Sequence, residues 1–85
     1  MTPAAPRRNR EEVARLGQEI FDRLVRPKLT PEDDGKFVAI DVVTEDYEVD
    51  ADDYTAVMKL HQRHSGAEVW LMRAGYPAAY KLGLR

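Results

Sequence analysis

The chain has 85 residues, of which 44% are hydrophobic and 33% charged, with a formal net charge of −2. This length supports one hydrophobic core, and the composition argues against disorder. The absence of cysteine excludes a disulfide framework and a cysteine nucleophile. No apolar run approaches the roughly 20 residues of a membrane span, and Met1–Arg10 lacks the apolar stretch of a signal peptide. We therefore expect a cytoplasmic, single-domain protein.

Charge is segregated along the chain. Residues 1–28 carry seven basic and four acidic residues, residues 29–58 carry one lysine and ten acidic residues, and residues 59–85 carry five basic residues and one glutamate. The acidic middle disfavours binding of nucleic acid along the whole chain, but it leaves both ends available. A basic arm precedes the first predicted helix and contains Arg7, Arg8 and Arg10. A small nucleic-acid-binding regulator that uses this arm is the alternative function, and a solvated terminus is the simpler interpretation.

The first predicted element is a helix from about Arg10 to Val25. Its apolar residues recur at three- and four-residue intervals and so share one face. They are Val13, Leu16, Gly17, Ile20, Phe21 and Leu24. Asn9 is the expected N-cap, and Pro27 ends the helix because it lacks an amide hydrogen. A glycine on this face costs about 1 kcal/mol relative to alanine, and it suggests close approach of a strand at Gly17.

Two strands, a second helix and a third strand follow. Residues 36–43 are rich in aromatic and β-branched side chains, and residues 47–49 return after a turn, which predicts a hairpin. Asp50 is the expected N-cap of a helix that runs to about His64. One face of this helix is predicted to contain Tyr54, Val57, Met58 and His61, with Leu60 beside it. Residues 67–73 form the third predicted strand.

The element order α-β-β-α-β predicts an α+β domain over residues 9–75, between a flexible arm of residues 1–8 and a tail of residues 76–85. A short helical return lays the third strand against the first, which gives a three-stranded antiparallel sheet in the order 2-1-3. Both faces of this sheet are apolar in sequence. Either the two helices cover opposite faces, or both cover one face and the other binds a partner or a second copy.

The sequence contains no recognisable catalytic or metal-binding motif. Ser65 follows His64, but a serine–histidine dyad needs a third group that orients the base. His61 and His64 lack an obvious third metal ligand. The dense acidic set matches no calcium loop, and helix capping or pairing with arginine explains it more simply. That set is Asp41, Asp46, Glu48, Asp50, Asp52 and Asp53. We predict no enzymatic activity, no catalytic or metal-ligating residue and no cofactor.

The residue composition of the third strand predicts a binding surface there. Trp70 and Met72 share one strand face, and Phe37 joins them if the first and third strands are neighbours. Tyr76 and Tyr80 follow in the tail, where they can rim this patch. Aromatic residues and methionine are enriched at protein interfaces. We therefore predict a protein partner or a homo-oligomer that uses these five residues. In the alternative, the first helix covers this face and Trp70 belongs to the core.

Three segments carry a resemblance to other proteins: Gly35–Asp41 (GKFVAID), Asp46–Asp50 (DYEVD) and Val69–Tyr76 (VWLMRAGY). With the amphipathic first helix, they resemble a family of small uncharacterised bacterial proteins that is common in cyanobacteria, over residues 9–82. That family has no established catalytic residues to transfer. Its genes often lie beside toxin-like or retropepsin-like genes, which implies an antitoxin-like or accessory role. The predicted function is therefore a non-enzymatic protein-interaction module.

Overall fold

The computed structural model describes residues 8–75. Its regular elements are helix α1 (Arg10–Ile20), strands β1 (Phe37–Asp41) and β2 (Tyr47–Asp50), helix α2 (Asp53–Arg63) and strand β3 (Val69–Arg73). The three strands form one antiparallel sheet in the order β2-β1-β3. The structure thus confirms the predicted α-β-β-α-β order and strand order. None of the helices within residues 8–75 is both long and apolar enough to cross a membrane.

Helix α1 begins where the sequence predicts. The Asn9 side chain accepts a hydrogen bond of 2.8 Å from the Glu12 amide, which satisfies one of the free amides at the helix start. The chain then continues past Ile20 through a π-helical turn (Phe21–Val25) and a short 3-10 turn (Arg26–Lys28). The α-helix is therefore five residues shorter than predicted, because a wider π-helical turn replaces it over Phe21–Val25.

Helix α2 differs from the prediction in its cap and in its buried face. Asp52 is the N-cap and accepts from the Thr55 amide at 2.8 Å, whereas Asp50 is the last residue of β2. Ala56 and Leu60 are fully buried, but Tyr54 is 68% and Met58 39% exposed. The predicted face was right for Val57, which packs against the core around Ala56 and Leu60. It was wrong for Tyr54 and Met58, because the small Ala56 rather than Tyr54 fits beneath the sheet.

The two helices cover opposite faces of the sheet, as in the first of the two alternatives. On the α1 face, Val38 lies between Val49 and Met72, and Ile40 lies between Tyr47 and Trp70. Buried residues of α1 and its following turn complete this core. They are Ile20, Phe21 and Val25. On the α2 face, the fully buried Ala39, Ala56 and Leu60 form a second, smaller core.

Asp41 ends the first strand two residues earlier than predicted. Its side chain is buried and accepts hydrogen bonds from the Val43 amide (3.0 Å), the Thr44 hydroxyl (2.7 Å) and the Glu68 amide (3.2 Å). Burial opposes ionisation of Asp41, but these hydrogen bonds outweigh it and lower the pKa of the carboxyl. The Asp41 carboxylate therefore stabilises the turn between β1 and β2, and it also positions Glu68, the residue that precedes β3.

Candidate protein-interaction edge

Strand β3 has an outer edge that no other strand covers within residues 8–75. Trp70 and Met72 are opposite Ile40 and Val38 in register, and the Val42 amide donates to the Glu68 carbonyl at 3.0 Å. Because main-chain groups alternate in direction along an antiparallel strand, those of Val69 and Leu71 point away from β1. The amides and carbonyls of Val69 and Leu71 are thus available to a further strand.

Charged side chains protect the opposite edge of the sheet, strand β2, from pairing with another strand. Arg63 of α2 donates to the carboxylates of Asp46 (2.9 Å) and Glu48 and to the Tyr47 carbonyl (3.2 Å). Lys59 pairs with Asp50 at 3.3 Å. Short strands with charged side chains are a common protection against edge-to-edge pairing. Within residues 8–75, the sheet therefore has one protected edge and one open edge.

The same ion pairs account for the acidic hairpin residues that the sequence singles out. Hydrogen bonds from Arg63 and then from His64 lower the pKa of Asp46 to about 2, although partial burial opposes this. The pKa of Arg63 is raised by Asp46 and Glu48. Residues 8–75 contain no group of three or more potential ligands arranged to hold a metal ion. Pairing with basic residues is therefore the interpretation that the structure supports for Asp46 and Glu48.

His64 has a carboxylate partner but no contact with the neighbouring serine. Its Nε2 lies 2.9 Å from Asp46 Oδ2, and no hydrogen bond joins it to Ser65 in the described part of the chain. A nucleophile must be within hydrogen-bond reach of its base. The His64 side chain therefore joins the network of Asp46 and Arg63 at the end of α2.

The open edge is apolar in its middle. Leu71 is 37% exposed on the α2 face, Val69 is half-buried beside it, and Trp70 lies on the α1 face. The strand has one charged residue, Arg73, whose guanidinium stacks on Phe37 at 5.1 Å and donates to the Gly35 carbonyl. Edges of this kind are ready templates for pairing with another chain.

A cleft of about 610 Å³ adjoins this edge at the start of α1. Apolar side chains form much of its wall, and charged residues form its rim. The lining residues are Val13, Ala14, Val69 and Trp70, with Arg8, Arg10, Glu11 and Glu68. Arg8 is paired with Glu68 at 3.5 Å, so the rim carries both signs of charge. An apolar side chain of a strand that pairs with β3 can enter this cleft.

Trp70 packs against α1, as the core alternative predicts. A Cβ atom at Gly17 would lie 2.1 Å from Trp70 Cδ1, so the indole occupies the space that a side chain would need. The prediction of a close strand approach at Gly17 is therefore confirmed. The Trp70 Nε1 atom is buried and has no hydrogen-bond partner among residues 8–75.

Of the predicted interface residues within residues 8–75, Trp70 and Met72 share one face as predicted, but Phe37 does not join them. Trp70 and the buried Met72 are on the α1 face, but Phe37 is opposite Arg73 and Asp50 and lies on the α2 face. Phe37 cannot join the patch because side chains alternate between faces along β1. Tyr76 and Tyr80 lie outside the described residues, so their role stays a prediction.

Two of the three proposed nucleic-acid residues, Arg8 and Arg10, line the same cleft. Arg8 pairs with Glu68, Arg10 lines the cleft beside Glu11, and Arg7 lies outside the described residues. Sequence reasoning missed Leu71 as an edge residue. The predicted strand order 2-1-3 already placed β3 at an edge, and alternation along it could have identified the outward main-chain groups of Val69 and Leu71.

No family model, curated protein sequence or solved structure matches this chain. The resemblance to small bacterial proteins therefore stays a prediction. The functional argument below rests on the geometry of β3 and its surroundings.

Proposed function

We propose that this chain is a non-enzymatic protein-interaction module that binds an extended polypeptide strand at the outer edge of β3. The observation that carries the proposal is that the main-chain amides and carbonyls of Val69 and Leu71 point outward. Within residues 8–75, the middle of this edge has no charged side chain that would hinder pairing with another strand. Main-chain hydrogen bonds supply affinity in strand addition, and pockets for alternate side chains supply specificity.

The side chains around the edge support the same mode of binding. An added strand would place alternate residues against Leu71 on the α2 face and in the cleft beside Trp70 on the α1 face. Val13 and Ala14 give this cleft an apolar wall. We therefore expect bound segments to be extended, with an apolar side chain directed into the cleft.

The resemblance adds a proposal about the biological partner. An antitoxin-like or accessory role would make the bound strand part of the product of a neighbouring gene, in the cytoplasm. Co-expression of this chain with the product of the neighbouring gene tests this partner. Co-purification that is lost in Leu71→Pro is the expected result, and co-purification that survives it would place the partner elsewhere on the molecule.

Selection of random peptides against the immobilised full chain tests the proposal without a known partner. Selected peptides should bind wild type and lose at least about tenfold in affinity to Leu71→Pro, a loss of about 1.4 kcal/mol. This variant removes an outward amide that makes no bond to β1, so the domain should stay folded. Tyr54→Lys, at an exposed position on α2, is the matched control and should bind normally.

Two results would contradict the proposal. One is a set of selected peptides whose binding is indifferent to Leu71→Pro. The other is tight binding of DNA or RNA at low salt that Arg8→Gln and Arg10→Gln abolish, because that result would favour the nucleic-acid alternative.

A further inference from the structure

We infer that the strand that pairs with β3 is β3 of a second copy of this chain, so that two three-stranded sheets join into one continuous sheet. This inference rests on the proposed strand-binding function and names its occupant. It follows from the symmetry of the edge, from the distribution of charge along β3, and from the contrast with the protected β2 edge.

The register of β3 is self-complementary. The strand runs from Val69 to Arg73, and Leu71 is its middle residue. An antiparallel pairing with a two-fold axis at Leu71 aligns the whole strand with its copy. Because the main-chain groups of Leu71 point outward, the two Leu71 residues form a hydrogen-bonded pair, which an antiparallel ladder permits on its symmetry axis.

The side chains also match in this register. The two Leu71 side chains meet on the α2 face, which removes from water an apolar residue that is 37% exposed in the single chain. Val69 is opposite Arg73 of the second copy, so no like charges face each other across the pair. Trp70 is opposite Met72 of the second copy on the α1 face, where both positions are apolar.

Charge favours the antiparallel direction. Glu68 immediately precedes β3, and Arg73 is its last residue. In this antiparallel register Arg73 is opposite Val69 and Glu68 is opposite Ala74 of the second copy, so neither charge faces its own kind. Parallel pairing would bring each charge beside its own kind, which is unfavourable for directly opposed side chains.

Strand β2 does not offer the same interface. Arg63 crosses it and already donates to the Tyr47 carbonyl. Pairing of two β2 strands would require that contact and the neighbouring ion pair to Glu48 to be broken or displaced. The second copy is therefore expected at β3, where no such contact must be given up at Val69 or Leu71.

Sedimentation equilibrium of the full chain tests this inference. An interface of one strand pair is smaller than the standard interface, so we expect monomer–dimer exchange between about 10 and 500 µM. Leu71→Lys places two ammonium groups opposite each other at the axis and should raise the dimer dissociation constant at least about tenfold. Tyr54→Lys is the matched control, because it adds the same charge on α2, and it should leave the constant unchanged.

A second measurement needs no variant. Amide exchange at Leu71 in the wild-type chain should slow as the protein concentration rises through the same range, while exchange at Val38 stays slow throughout. A wild-type chain that is monomeric at about 500 µM overturns the inference. Dimers that survive Leu71→Lys in a folded variant, or that are lost in Tyr54→Lys, also overturn it. Concentration-independent protection at Leu71 would show instead that this chain's own residues 76–85 cover the edge.

The outcome also separates this inference from the proposed function. A monomeric wild-type chain that still binds selected peptides at β3 retains the strand-binding function and rejects only the second copy as its occupant. A monomeric chain that binds no peptide at this edge contradicts both.

Discussion

Gly17 of α1 and Trp70 of β3 are in such close contact that the indole fills the position of a Cβ atom at residue 17, which would lie 2.1 Å from Trp70 Cδ1. The next nearest atoms, Cγ and Cβ of the same side chain, would be 2.3 and 2.6 Å away. These atoms adjoin the strand backbone and cannot easily move aside. The glycine therefore sets how closely α1 approaches the open-edge strand.

Gly17→Ala should destabilise the domain despite the higher helix propensity of alanine. Overpacking costs about 1–3 kcal/mol, and a Cβ only 2.1 Å from Trp70 Cδ1 places Gly17 at the upper end of this range. The gain in helix propensity offsets about 1 kcal/mol, which leaves a net cost of about 2 kcal/mol. Thermal melting should show a decrease of several degrees. Gly66→Ala is the control, because no atom lies within 4 Å of a Cβ there, and its melting temperature should change little. An unchanged melting temperature in Gly17→Ala would contradict the observed helix–strand spacing.

Trp70→Ala should lower stability by about 2–4 kcal/mol, because it removes a large side chain that packs in the α1-side core. The decrease should already be present in the monomer, as measured by urea unfolding at about 5 µM, below the range expected for association. Trp70→Phe should cost less, since it also removes the buried Nε1 donor that has no partner among residues 8–75. A folded Trp70→Ala monomer of normal stability would place Trp70 outside the core.

Much of the fold follows from the sequence because its signals are local. The cap at Asn9, the periodicity of α1 and the β-branched run in β1 each depend on neighbouring residues. The cap and both elements are confirmed, although α1 and β1 end earlier than predicted. The buried face of α2 could not be predicted, because Tyr54 and Met58 match helical periodicity as well as Ala56 and Leu60 do. Only packing against Ala39 decides between them.

The open edge was only partly predictable. The order 2-1-3 places β3 at one edge and β2 at the other, but it does not tell which edge is protected. That distinction depends on Arg63, which lies 15 residues beyond Glu48 in sequence and reaches it only through the packing of α2. The face of Phe37 was predicted wrongly for a simpler reason. Phe37 is opposite Arg73 in register, and alternation along β3 places Arg73 and Trp70 on opposite faces of the sheet.

Asp41→Asn should lower the free energy of unfolding by about 1–3 kcal/mol, because the amide nitrogen cannot accept the hydrogen bonds that one carboxylate oxygen accepts. The Thr44 hydroxyl and the amides of Val43 and Glu68 all donate to the buried Asp41. Urea unfolding measures this change. Asp34→Asn, at an exposed position, should differ little from wild type, and equal stabilities in the two variants would contradict the role of Asp41.

Arg63→Ala should be less stable than wild type above about pH 4, and the difference should shrink as the pH falls toward 2. Because the pKa of Asp46 is about 2 in the folded chain and 3.8 for the free group, its ion pairs stabilise the fold above pH 3.8. That contribution is lost as the pH falls toward 2. Without Arg63 the folded pKa of Asp46 rises, so the stability of the variant should depend less on pH across this window.

Circular dichroism at pH values between 2 and 5 measures the effect of Arg63→Ala. Arg23→Ala removes an exposed pair with Glu45 at 3.1 Å and is the control, because such surface pairs contribute less than about 1 kcal/mol. Identical acid unfolding in wild type and Arg63→Ala would show that the Arg63 network does not hold the β2 edge.

The most direct test of strand binding at β3 is site-resolved amide exchange of the dilute full chain, without and with a saturating selected peptide. Without peptide, the amides of Val69 and Leu71 should exchange quickly, and Val38 in the central strand should exchange slowly. With peptide, protection should appear at Val69 and Leu71, and Val49 on the β2 edge should be unchanged. Slow exchange at Leu71 in the dilute free chain, or protection that appears only away from β3, would contradict the account.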